Sequence, residues 1–176
     1  MNRARAIAAF EQFNLTPANR QLAEYWLSLW RGDALPKRSD FSPARASKLL
    51  PGIGLFEVRA GVSSRCRLSG SAIQQTLGRE LAGLDWRQYT PEDQWATRLE
   101  RNTAIANGAV GIGIRQSKDG MPLMASQELQ LPFADETEDG ARLILFHLDW
   151  RPSVLNDGKN GSPNIADAFH AIPLTD

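Results

Sequence analysis

The chain has one cysteine, Cys66, and two histidines, His147 and His170. A thiol and an imidazole can work as nucleophile and base, and Cys66 and His147 both fall in strand-like segments. No third group stands at a spacing that would orient the imidazole, so this dyad is not expected to act. His147 is expected to be packed or bonded to a partner, or to offer a ligand a hydrogen bond or a pH-sensitive contact. Cys66 is expected to be a small buried apolar residue. Asp135, Glu136, Glu138 and Asp139 form an acidic cluster that could hold calcium, but they read better as a solvated hairpin turn. Residues 108–113 (GAVGIG) share glycine spacing with dinucleotide motifs. They lie at a helix exit and inside a strand, where no helix N-terminus follows to hold a phosphate. No Gly-Lys-Ser/Thr run is present. Arg59, Arg65 and Arg67 could meet a phosphate or nucleotide. Without interleaved aromatics or a recognition helix, a solvated face is expected there and nucleic-acid binding is not.

Composition sets the frame for these residues. The chain has 176 residues, 42% apolar and 23% charged, with a formal net charge of zero. That suits one globular domain and gives no bulk electrostatic attraction to nucleic acid or membrane. Charge is uneven: residues 1–67 hold 11 Lys/Arg against 5 Asp/Glu, and residues 118–149 hold 2 against 7. One cysteine excludes an internal disulfide framework and a multi-cysteine metal site. The apolar run at 6–10 is too short for a signal-peptide core, and no run approaches a membrane span. A cytoplasmic protein is expected.

Periodicity gives the elements. Residues 1–15 read as a lead. Thr16-Pro17 is a cap followed by proline at the first helical position. Leu22, Tyr25, Trp26, Leu29 and Trp30 then recur as one helical stripe, which must be covered by its own domain or by a partner. A short helix is expected over 42–50 and strands over 53–60 and 65–69, with Cys66 and Leu68 on one face. Residues 70–83 read as a short helix broken at Gly78, and residues 92–107 as a longer one in which Trp95, Leu99, Thr103 and Ala106 align. Gly111 and Gly113 alternate with Val110, Ile112 and Ile114, leaving one strand face bare for a close approach. A turn is expected at 118–120 and strands over 121–131 and 141–150. Residues 144, 146, 148 and 150 in the last strand share one face, and 143, 145 and 147 the other. Such a strand is covered on both sides, with the aromatic helix as one cover. Residues 151–176 read as a flexible tail with a turn of helix near 166–170.

The order is helices, two strands, short helices, a long helix and three strands, which is an α+β layout. It resembles the PAS order, and local segments agree. These are Tyr25-Trp26 to Leu29 with Gly32; Leu35-Pro36 with Arg38, Asp40 and Pro43; and Leu49-Leu50-Pro51. They continue with Arg67-Leu68-Ser69-Gly70, Gly78-Arg79-Glu80-Leu81 with Gly83, and Glu128 to Leu131-Pro132. Over residues 22–150 the chain is similar to a family of mostly bacterial single-domain PAS proteins. The resemblance implies a five-stranded antiparallel sheet with helices on one face, here with an extra N-terminal helix, in a domain spanning 16–150.

It also implies a signalling role: binding a small ligand, dimerising, or docking on a kinase or another regulator. With no output domain in the sequence, action through another protein is expected. Trp86, Trp95 and Met124, with His147, are the expected wall of a ligand cavity, and Tyr25, Trp26, Leu29 and Trp30 the expected homodimer interface. Covalent flavin is disfavoured because residues 78–83 lack cysteine. Haem on a helix histidine is disfavoured because residues 92–107 lack histidine. A non-catalytic sensor or adaptor is the leading reading. A small-metabolite enzyme or a nucleotide-binding regulator is the alternative.

Overall fold

Residues 1–116, 124–152 and 168–175 are described in a computed structural model of the chain. Helix α1 (Arg3–Gln12) starts at Asn2, whose side chain accepts from the Arg5 amide. Helix α2 (Pro17–Ser28) starts at Thr16, whose hydroxyl accepts from the Asn19 amide, with Pro17 at its first position. Short 3-10 turns replace the helix expected over 42–50. Strands β1 (Ile53–Arg59) and β2 (Ser63–Ser69) make the first hairpin. Helix α3 (Ser71–Leu77) ends at Gly78, which adopts φ +65, a left-handed cap that glycine takes without strain. Helix α4 (Trp95–Ala106) leads into β3 (Ala109–Gln116), β4 (Met124–Glu136), β5 (Arg142–Pro152) and β6 (Ala168–Pro173).

The strands form one antiparallel sheet in the order β2-β1-β5-β4-β3-β6. The architecture is α+β, with six strands instead of the expected five. Residues 168–173, read as tail and partly as helix, pair with β3 from Ala109↔Pro173 to Ile114↔Ala168. The open edge of β3, not any strong strand pattern in the tail, selects this conformation. The turn expected at 118–120 lies outside the described residues.

Helices cover both faces of the sheet. On one face, α1 and α2 bury Phe10, Leu22, Trp26 and Trp30 with Val110, Ile112, Leu129, Leu131, Phe133 and Leu145. The N-terminal lead is therefore part of the core. On the other face, α3 and α4 meet Phe56, Ile144, Phe146 and Leu148. Full burial of an aromatic or branched side chain is worth about 1.5–3 kcal/mol, so both layers carry real stability.

One expected face assignment fails at β2. The register passes from Leu55↔Leu68 to Phe56↔Cys66, leaving Arg67 as an extra residue. A bulge of this kind reverses the side-chain alternation beyond it. Cys66 is fully buried and Leu68 is 51% exposed.

Candidate functional site

Period-two alternation sorts β4 and β5 into two surfaces. Ser126, Glu128 and Gln130 pair in register with Trp150, Leu148 and Phe146. All six side chains face α3 and α4, so a polar stripe on β4 lies beside an apolar stripe on β5. Helix α4 presents Arg98 and Asn102 to this surface, and Phe56 meets Phe146 edge-on at 5.4 Å between centroids. The buried residues of α4 are Asn102, Ile105 and Ala106. This is a different stripe from the expected one, because α4 turns its C-terminal half onto the bare glycine face of β3. A Cβ at Gly111 would lie 2.9 Å from Ile105 Cδ1, and one at Gly113 would lie 2.4 Å from Glu128 Cγ.

Between these elements lies a cavity of about 170 Å³. Phe56, Ile73, Leu81, Phe146 and Leu148 form its apolar wall. Tyr89, Arg98, Ser126, Glu128 and Trp150 supply polar groups. Leu77, Pro91 and Gln94 are exposed lining residues and mark its mouth. Three buried polar atoms of lining residues have no hydrogen-bond partner among the described residues: Arg98 Nε, Ser126 Oγ and Trp150 Nε1. An unpaired buried polar group costs about 1–3 kcal/mol. Burial pushes the Tyr89 phenol up to about 12, with the nearby Arg98 guanidinium acting against the shift, so the hydroxyl stays protonated. Glu128 is 3% exposed and accepts from Gln130 Nε2 at 3.2 Å.

A cavity of about 10 Å³ adjoins it, sharing Phe56, Arg98 and Phe146 and lined also by Asn102 and Gln130. That is space for one water. The Asn102 side-chain nitrogen beside it also lacks a partner among the described residues.

The expected cavity wall is placed differently. Trp86 is fully buried and packs edge-on against Trp95, with centroids 6.1 Å apart, and neither lines the cavity. Arg87 lies over both rings, and Trp95 Nε1 donates to the Thr90 carbonyl at 3.0 Å. The pair anchors residues 86–95 to the start of α4 and so positions Tyr89, Thr90 and Pro91 at the rim. Met124 opens β4 opposite Pro152; its side chain lies outside what the structure describes. His147 alternates to the opposite face and is 3% exposed.

There His147 joins a buried polar network. Asn19 Nδ2 donates to the Gln127 carbonyl and to Gln127 Oε1, leaving Asn19 Oδ1 to accept from His147 Nδ1 at 2.6 Å. Gln127 Oε1 also accepts from the Thr16 amide, and Gln127 Nε2 donates to the Asn14 carbonyl. Burial lowers the His147 pKa to about 4, with Asp149 acting against it. Cys66 lies two strands away and packs on the α3/α4 side. Burial raises its thiol to about 11. Thiol and imidazole therefore lie on opposite faces of the sheet, the thiol protonated and the ring unprotonated near neutrality.

In the expected dimer interface, Trp26 and Trp30 are buried in the chain's own core, Trp26 Nε1 donating to the Pro132 carbonyl at 3.3 Å. Tyr25 and Leu29 are half-buried. The acidic cluster is split among separate partners: Asp135 accepts from the Arg38 amide, Glu136 pairs with Arg142 and Asp139 with Arg59. Among the described residues no cluster could hold a metal ion, and no helix is long and apolar enough to cross a membrane.

Arg98, Ser126 and Tyr89 were missed by sequence reasoning. The legible signal was the alternation of Ser126, Glu128 and Gln130 on an interior strand, which puts polar groups under a helical layer.

No curated protein matches the chain. A family model described as PAS domain matches residues 15–145, which takes in α2 through the first four residues of β5; the cavity residues Phe146, Leu148 and Trp150 on β5 lie just beyond it. The chain belongs to the PAS domain family.

Proposed function

We propose that this domain is a non-catalytic sensor or adaptor that binds a small molecule in the cavity between α3, α4 and the sheet and passes its occupancy to a protein partner. PAS domains generally serve sensory roles, and the cavity gives this one a place to read a signal. The observation that carries the reading is the largely apolar cavity of about 170 Å³ between α3, α4 and the sheet, with Tyr89, Arg98, Ser126 and Glu128 among its lining residues. Ligand sites commonly combine an apolar wall with a few polar groups that fix orientation. The mouth is built from the 86–95 segment, held by Trp86 and Trp95, so occupancy can be read at a surface segment next to α4.

A thermal-shift screen of the full chain against small metabolites tests this. A ligand that binds only the folded state raises stability, by about 2.7 kcal/mol at a hundredfold excess over Kd. Stabilisation by a ligand, lost when Ser126→Phe fills the cavity, supports the reading. A panel without any stabilising compound contradicts it.

A further inference from the structure

We infer that the cavity takes an uncharged, largely apolar molecule about the size of a single ring. This rests on the ligand-binding reading above and adds the chemical class. The wall holds one cation and one anion, Arg98 and the buried Glu128, so it has no net charge to attract an ion. An ion entering it would lose its hydration without gaining a counter-charge, which is strongly unfavourable. The hydrogen-bonding groups of the wall are enclosed or already used. Arg98 Nε, Ser126 Oγ and Trp150 Nε1 are covered by protein atoms. The Tyr89 hydroxyl is bonded to the Arg98 side chain, and Glu128 accepts from Gln130 Nε2.

Carbon therefore dominates what a guest would meet. Phe56, Ile73, Leu81, Phe146 and Leu148 are each buried and form the inner wall. The mouth is apolar too, lined by Pro91 and by Leu77, which is 45% exposed. Removing the apolar surface of guest and wall from water together drives such binding. Thr90 and Gln94 line the cavity as well and can meet a single hydroxyl or N–H. Volume sets the limit on size. An engineered protein cavity of about 150 Å³ lined by Leu, Ile and Phe stays dry and takes up benzene. The cavity here, about 170 Å³, admits one ring with a small substituent.

Calorimetric titration of the full chain near neutral pH with benzyl alcohol, indole, benzoate and benzylammonium tests the inference, because these differ in charge at similar size. The two neutral compounds are expected to bind at least about tenfold more tightly than either ion. Ser126→Phe fills the cavity and is expected to abolish their binding. Glu128→Gln leaves Arg98 without its counter-charge. It is expected to strengthen benzoate about tenfold and leave benzyl alcohol unchanged; its thermal transition reports that the fold survives. Arg98→Met is the converse variant, with benzylammonium gaining in place of benzoate. Either ion binding wild type as tightly as the neutral compounds, or ions unmoved by both charge variants, would overturn the assignment of class and leave the cavity reading standing. Neutral binding that survives Ser126→Phe lies elsewhere on the chain and overturns the assignment, as does binding by none of the four compounds. The wider metabolite screen then decides separately whether the cavity binds anything.

Discussion

His147 Nδ1 lies 2.6 Å from Asn19 Oδ1, joining the fifth strand of the sheet to the helix that covers its outer face. Asn19 Nδ2 is committed to Gln127, so its oxygen must accept and the ring must be the Nδ1–H tautomer. With a folded pKa of about 4 against an ordinary 6.5, the sign is fixed. Above about pH 6.5 the ring is neutral in both states and stability is complete. Between 6.5 and about 4 the unfolded chain takes up a proton that the folded chain refuses, and stability falls as pH drops. The full effect is about 3 kcal/mol at 1.36 kcal/mol per pKa unit. Urea unfolding of wild type and His147→Asn across this range checks it. The variant keeps a donor towards Asn19 and is expected to lose the slope due to this group.

Trp26 is expected to matter for folding before it matters for any partner. It has no exposed surface, and its ring meets Phe10 and Trp30 edge-on. Trp26→Ala is expected to cost about 3–5 kcal/mol, read as a lower denaturant midpoint. A variant of unchanged stability but altered oligomeric state would contradict this placement.

Arg142 joins the end of α4 to β4. Its guanidinium donates to the Ala106 carbonyl at 2.6 Å and the Phe133 carbonyl at 3.0 Å, and pairs with Glu136 at 2.6 Å. A cation at a helix C-terminus also complements the helix dipole. Arg142→Met keeps much of the packing and removes the donors. A loss of about 2–3 kcal/mol is expected, with faster hydrogen exchange at the last turn of α4.

Gly113 is required by its neighbour. A Cβ there would overlap the Glu128 side chain, which would have to shift to make room. Gly113→Ala is expected to cost about 1–3 kcal/mol. Combining it with Glu128→Ala should return part of that loss, and a double-mutant cycle measures the coupling. Purely additive losses would show that the crowding is absent.

Much of this fold was legible because its signals are local. The stripe from Leu22 to Trp30, the alternation along 143–150 and the left-handed glycine at Gly78 each need only neighbouring residues. The same alternation already separated His147 from Phe146 and Trp150, so its absence from the cavity follows from strand geometry. The bare glycine face of β3 was also readable, although its occupants, Ile105 and Glu128, were not. What stayed hidden depends on register between distant segments. Leu68 is exposed because of a bulge at Arg67, and residues 168–173 form a strand because β3 offers them an edge. Arg98 reads in sequence as one of several charges on a helix. It becomes a site residue only when β4 and β5 bring Ser126 and Trp150 beneath it.

The most direct test of the central claim is two-dimensional amide NMR of the full chain, titrated with a mixed panel of small acids, amides and neutral aromatics. The account predicts that at least one compound shifts amides clustered at Phe56, Ile73, Tyr89, Arg98 and Phe146, and leaves those around Asn19 and Trp26 unmoved. Shifts confined to the outer layer of α1 and α2, or none from any compound, would contradict it.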